Sequence, residues 1–145
     1  MARPDDARNE PWLLLDRLEP RHVPQLVALF QSAWWTRGRE HADVERMLEG
    51  SDGVVAFTNP GGDLLAFARF LTDGVYKALV FDVIVAESER GTGLGSALTD
   101  ALLAHPRLAG VAHIELYCLP ELIPFYTRWG FTEDLGGVRL LRHAP

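Results

Sequence analysis

Residues 89–103 read "ERGTGLGSALTDALL", with glycines at positions 91, 93 and 95 running directly into Leu94, Ala97, Leu98, Ala101 and Leu102 at helical spacing. Glycines on alternate positions let the backbone turn tightly and come close to a ligand. The free N–H groups and dipole of a following helix then attract anions. The stretch therefore predicts a strand-to-helix loop that holds a phosphate-bearing ligand. Upstream lies "ALVFDVIVA" (78–86), an almost unbroken apolar run of the kind a strand covered on both faces requires. A buried strand, a glycine loop and an amphipathic helix in that order frame the rest of the chain.

Working outward, "WLLLDRL" (12–18) reads as a first strand and "EPRHVPQLVALFQSAWW" (19–35) as a helix with Pro24 in its first turn. "HADVERMLEG" (41–50) reads as a second helix closed by Gly50. The strands "GVVAFT" (53–58) and "LLAFARFLT" (64–72) form a hairpin about the turn "NPGGD". Beyond the glycine-loop helix, "HIELYC" (113–118) is a strand by alternation and "PELIPFYTRWG" (120–130) a short helix capped by Gly130. "FTED" and "VRLLR" are expected as closing strands around "LGG". The order β α α β β β α β α β β describes one α+β domain over 1–145. It has a mixed, mostly antiparallel sheet flanked by helices, with no repeat and no linker.

Composition sets outer limits. The 145 residues suit a single domain, and 48% hydrophobic with 23% charged is ordinary for a globular chain. Fourteen Lys and Arg against 20 Asp and Glu give a net charge of −6, which argues against a nucleic-acid partner. The only cysteine, Cys118, cannot build an internal disulfide framework or a multi-cysteine metal site, so a cytoplasmic address is expected. "MARPDDARNE" (1–10) lacks the apolar region of a secretory signal. No window approaches the ~18 apolar residues of a membrane span. The five histidines show no metal-ligand spacing, and no metal is expected.

Three kinds of phosphate loop are separable. Gly95 is followed by Ser96 and Ala97, so there is no lysine of the kind a nucleoside-triphosphate loop uses. A dinucleotide loop places its glycines immediately after the strand and an acid at the end of the next one; here the glycines begin well past Ala86, and the next strand ends in Tyr117 and Cys118. What remains is Arg90-Gly91-Thr92-Gly93-Leu94-Gly95, an R-x-x-G-x-G string after a central strand. With it goes "IPFYTRWGF" (123–131).

In these two motifs, in their order and in the elements around them, the chain over 12–142 resembles the GNAT superfamily of N-acetyltransferases. The second motif is especially similar to the corresponding stretch of arylalkylamine N-acetyltransferases. The resemblance implies acetyl-CoA as co-substrate, its pyrophosphate held by Arg90, Gly91, Thr92, Gly93, Leu94, Gly95 and Ser96, with Phe125 beside it. It implies main-chain contacts from Val83, Ile84 and Val85 to the pantetheine arm and thioester, while their side chains stay in the core. It also implies transfer to a small-molecule or protein amine by direct attack in a ternary complex. Homodimers are common in that family. A non-catalytic acyl-CoA-binding or sensing module is the alternative reading.

Acetyl transfer needs a neutral amine, a polarised carbonyl and a proton for the departing thiolate. The resemblance assigns Tyr126 as the acid. Asp82, inside an apolar strand, demands a partner. It is either an ion-pair or capping group, or the base that diamine acetyltransferases of the superfamily carry at the end of this strand, where they have Glu-Asp and this chain has Phe81-Asp82. Glu115 on the neighbouring strand is the reserve. The aromatic residues Phe30, Trp34 and Trp35 read as core by spacing. The resemblance puts acceptor specificity in this helix-loop-helix region and offers Trp34, Trp35 and Phe81 to the substrate. Cys118 reads as a small buried residue rather than an acyl carrier.

Overall fold

The computed structural model describes residues 11–145; the expectation for 1–10 lies outside that range. Five strands form one sheet in chain order: β1 (Leu13–Leu15), β2 (Gly53–Thr58), β3 (Leu64–Thr72), β4 (Lys77–Val85) and β5 (His113–Leu116). All neighbours are antiparallel except β4 and β5, which run parallel. The sheet is mixed and mostly antiparallel, as the sequence predicts. β2 and β3, rich in Val, Phe and Leu, are buried nearly throughout because helices cover both faces. Their hairpin closes on Asn59, whose N–H donates to the Asp63 carbonyl at 3.1 Å, with Gly62 at φ +88°.

Helices α1 (Val23–Gln31) and α2 (His41–Gly50) pack on one face. There Leu26, Phe30 and Val44 meet Val54, Phe67 and Ile84. Helix α3 (Leu94–Leu103) packs on the other, burying Leu94, Leu98 and Leu102 against Val55, Phe70 and Val80. α4 (Ile123–Thr127) follows β5. Among the described residues no helix is long and apolar enough to cross a membrane.

Three expectations are corrected. α1 stops at Gln31, so Trp34 and Trp35 lie in the loop before α2, and they are 68% and 47% exposed rather than in the core. Cys118 is exposed. The strands expected at "FTED" and "VRLLR" do not form. The turn between them does: Gly136 and Gly137 take φ of +65° and +89°, and the Val138 N–H reaches the Leu135 carbonyl. Val138, Leu140 and Leu141 remain exposed. Their residue types suit a strand, but a strand exists only through ladder bonds to a partner, and this segment makes none.

Candidate active site

β4 carries the central irregularity. Phe67 pairs with Ile84 and Arg69 with Phe81, so Ala68 alone opposes both Asp82 and Val83. The extra residue is a β-bulge. Asp82 absorbs it with φ +56°, the one described non-glycine residue in the left-handed region, where aspartate is tolerated at a cost of about 1–2 kcal/mol. The bulge breaks the alternation of side chains. Phe81 and Asp82 both meet Arg69 on the α1–α2 side, whereas Val80 and Val83 belong to the α3 side.

The parallel pairing of β4 with β5 runs from Lys77 with His113 to Val80 with Leu116 and then stops. From Phe81 to Val85 the strands diverge, leaving main-chain groups of β4 without a ladder partner from β5. Val83 and Val85 pack toward α3 and Ile84 is buried on the opposite face, so their side chains are core while their backbone borders the gap.

At the end of that strand the glycine loop takes the expected form. Gly91 and Gly93 have φ of +77° and +90°, and a Cβ built on either meets nothing within 4 Å. Positive φ explains the glycines, and the open space above them admits a ligand. Gly93 caps α3 without a side chain, and the first bond into the helix runs from the Ala97 N–H to the Gly93 carbonyl. The N–H groups of Gly93, Leu94, Gly95 and Ser96 accordingly have no backbone acceptor among the described residues. Thr92 Oγ1 donates to the Glu89 carbonyl and pins the turn. Gly95 faces Phe125, whose ring lies 3.6 Å from where a Cβ would sit. Arg90 is exposed beside the loop.

Arg128 completes this corner. Its Nη2 donates to Ser96 Oγ at 3.1 Å, and its guanidinium covers Phe125 and Trp129. A cation beside the N-terminus of α3 suits a diphosphate. The signal lay in the basic position of "FYTRWGF".

Tyr126 is 7% exposed, stacked edge-on with Phe125 and Phe131. Burial, with a smaller contribution from the nearby Cys118 thiol, pushes its hydroxyl up to about 12. No buried side-chain oxygen among the described residues lacks a partner, and the Tyr126 hydroxyl makes no hydrogen bond among the described residues, so its oxygen keeps contact with solvent. Its neutral form is the one folding favours. The stability it contributes is complete below pH ~10, the unfolded value, and is lost as pH rises through about 12. Urea unfolding is expected to show Tyr126→Phe losing about 2 kcal/mol less than the parent between pH 8 and 11.5.

Cys118 lies two residues past β5. Burial raises its thiol, and Glu133 and Glu121 raise it further, so little nucleophilic thiolate forms at neutral pH. Cys118→Ala is expected to keep turnover within about threefold, measured by thioester cleavage at saturating amine.

The Asp82 side chain is 6% exposed and fully engaged. Arg39 donates to it twice, at 2.7 and 3.1 Å, and Arg69 Nε once, at 2.7 Å. This placement answers to the ion-pair alternative of the sequence. Glu115 is half-exposed and paired with Lys77. Phe81 stacks edge-on with Tyr117 at 6.1 Å where the strands part; Tyr117 ends an alternating strand and was not singled out from sequence. Trp34 and Trp35 stack on each other at 5.8 Å, and no ring contact among the described residues joins them to Phe81.

Residues 16–131 match the family model for the acetyltransferase (GNAT) family. The chain belongs to the GNAT family of acetyltransferases. Among curated relatives, this acetyltransferase is 31% identical over 137 residues to GCN5-related N-acetyltransferase 1, chloroplastic, of Arabidopsis thaliana, covering 93% of the chain and 68% of that protein. It is 38% identical over 104 residues to serotonin N-acetyltransferase 2, chloroplastic, of Oryza sativa subsp. japonica, covering 70% of the chain and 52% of that protein. A solved structure from Xanthomonas campestris assigned to the GNAT family superposes with a TM-score of 0.76 at 28% identity, over 94% of this chain and 96% of that one. An acetyltransferase structure from Deinococcus radiodurans gives 0.75 at 26%, over 90% and 87%.

Proposed function

We propose that this GNAT protein is an acetyl-CoA-dependent N-acetyltransferase whose acceptor is a primary amine on an aromatic or apolar body. The observation that carries the reading is the divergence of β4 from β5 after Val80 and Leu116, with the glycine cradle past the end of β4 and Tyr126 close to Cys118 just beyond β5. Bound acetyl-CoA would supply an activated acetyl group as its thioester. Loop residues 90–96 and Arg128 bind the pyrophosphate. Main-chain groups of β4 that alternate away from β3 over Val83–Val85, Val85 N–H among them, hold the pantetheine arm and polarise the thioester carbonyl. Tyr126 donates its proton toward the departing sulfur. Asp82 serves the site by fixing the bulge rather than as base, because three hydrogen bonds from two guanidiniums occupy its carboxylate.

The acceptor side is formed by Phe81 and Tyr117, with Trp34 and Trp35 on the loop above. The two strand carboxylates there, Asp82 and Glu115, already have cationic partners, and Glu121 and Glu133 lie further along, by Cys118. A flat monoamine would find rings beside Asp82 and Glu115. That the rice relative is a serotonin N-acetyltransferase supports the same class. A reducing cytoplasm suits a chain whose one cysteine, Cys118, has no disulfide partner.

Release of free thiol from acetyl-CoA, followed over a panel of arylalkylamines, polyamines, amino acids and peptide amines, tests the reading. Arylalkylamines are expected to give the highest kcat/KM. Acetyl-CoA binding without turnover on any amine would favour the acyl-CoA-binding module instead.

A further inference from the structure

We propose that Arg39 is a positioning residue for amine transfer, tying the loop that carries Trp34 and Trp35 to the bulge that opens the thioester gap. The inference rests on the acetyl-transfer reading above. Asp82 would have a buried cationic partner in Arg69 alone, so its neutralisation does not require a second arginine from a distant loop. What Arg39 adds is a connection across 43 positions of sequence, from the α1–α2 loop to β4.

The loop is built to deliver it. Gln31 Nε2 donates to the Arg39 carbonyl at 3.1 Å, and Gln31 Oε1 accepts from the Gly38 N–H at 3.0 Å. Thr36, 1% exposed, donates its hydroxyl to the Phe30 carbonyl, and Gly38 turns the chain at φ +93°. These bonds send Arg39 inward while Trp34 and Trp35 stay exposed. The guanidinium lies 4.8 Å over the Phe30 ring, touches Met47 Sδ at 3.6 Å and meets Asp82 with two parallel hydrogen bonds. With one face of its guanidinium and two nitrogens engaged by the chain, Arg39 acts by holding other groups rather than by binding substrate.

The carboxylate oxygen that Arg39 Nη1 bonds, Oδ2, is also bonded by Arg69, and the contacts continue from there into the site. Arg69 bonds Asp82 and lies 4.7 Å over Phe81, and Phe81 stacks on Tyr117 at the point where β4 leaves β5. Loop, bulge and acceptor aromatics are therefore one mechanical unit joined at Asp82. Lysine in place of Arg39 keeps the charge but cannot make the two-point contact that fixes the loop's angle.

The test compares the parent with Arg39→Gln and Arg39→Lys. Acetyl-CoA affinity, by calorimetry, is expected to stay within twofold, because the glycine cradle is untouched. kcat/KM for the amine is expected to fall about 10- to 100-fold in Arg39→Gln, with Arg39→Lys recovering part of it. Fluorine NMR of 5-fluorotryptophan-labelled protein gives a second readout. The Trp34 and Trp35 resonances, assigned by single Phe replacements, should narrow and move toward free-tryptophan shifts while those of Trp12 and Trp129 hold. Parent-like amine kcat/KM in a folded variant, or a loss that acetyl-CoA affinity follows in step, would overturn the proposal. If the parent acetylates no amine, the acetyl-transfer reading fails by itself. Unchanged Trp34 and Trp35 resonances in both variants would then overturn the clamp independently.

Discussion

Tyr126→Phe is expected to lower kcat by about 10²–10⁴-fold while leaving acetyl-CoA affinity nearly unchanged. The substitution keeps the ring that packs against Phe125 and Phe131 and removes only the hydroxyl. Sequence considerations leave two ways for a tyrosine to protonate a thiolate: a pocket that lowers its pKa, or transfer in concert with C–S cleavage. The structure removes the first, since burial pushes the hydroxyl up to about 12. Complete transfer to a free thiolate, whose conjugate acid has a pKa of ~8.5, would then be uphill by about 5 kcal/mol. The proton must move as the bond breaks, when the sulfur is only partly charged and the acetyl group is already bonded to the amine. A solvent isotope effect on kcat in the parent that vanishes in Tyr126→Phe is the accompanying signature. Parent-like turnover in the variant, with chemistry shown to be rate-limiting, would exclude Tyr126 as the acid.

Gly93→Val is expected to weaken acetyl-CoA binding by about 100-fold or more in calorimetry, with the fold intact. Gly93 sits at φ +90°, where a β-branched residue is a true outlier, so the loop must change course to accommodate it. The N–H groups of Gly93 to Ser96 then cease to converge. Losing two hydrogen bonds to a charged group, at about 1.5–3 kcal/mol each, accounts for that loss or more. Folding should survive because a Cβ at this position meets no other atom within 4 Å. Gly95→Ala makes an informative contrast: its added methyl would rest at 3.6 Å from Phe125 and 3.9 Å from Val85, so the free protein should keep its stability. Undiminished affinity in folded Gly93→Val would remove the phosphate from this loop.

The readable parts of this protein are those in which local chemistry has few alternatives. Gly91 and Gly93 announce positive φ, and the structure puts both there. The apolar run 78–86 has to be buried on both faces, and β4 lies between β3 and β5 under helices on each side. The leucines of α3 recur at the helical period and are buried accordingly. Each of these is decided within one turn or one strand, where propensity and burial point the same way.

Other features depended on residues far apart in the chain. Asp82 in an apolar strand signals that a partner exists, but nothing in the sequence identifies Arg39 and Arg69, which only the packing of the α1–α2 loop and β3 against β4 brings to it. The bulge that turns Asp82 beside Phe81 is a register event between two strands, visible in neither alone. Trp34 and Trp35 carry the composition of a core yet stand outside it, because α1 ends before them. "FTED" and "VRLLR" carry strand-like patterns without becoming strands, since propensity is local whereas a ladder needs a partner at hand. Residue types and glycine spacing alone determined the cradle and the central strand. Tertiary structure decided which charges meet at Asp82, where β4 leaves β5 and that Phe81 meets Tyr117 there, because those depend on the relative placement of elements rather than on the conformation of any one.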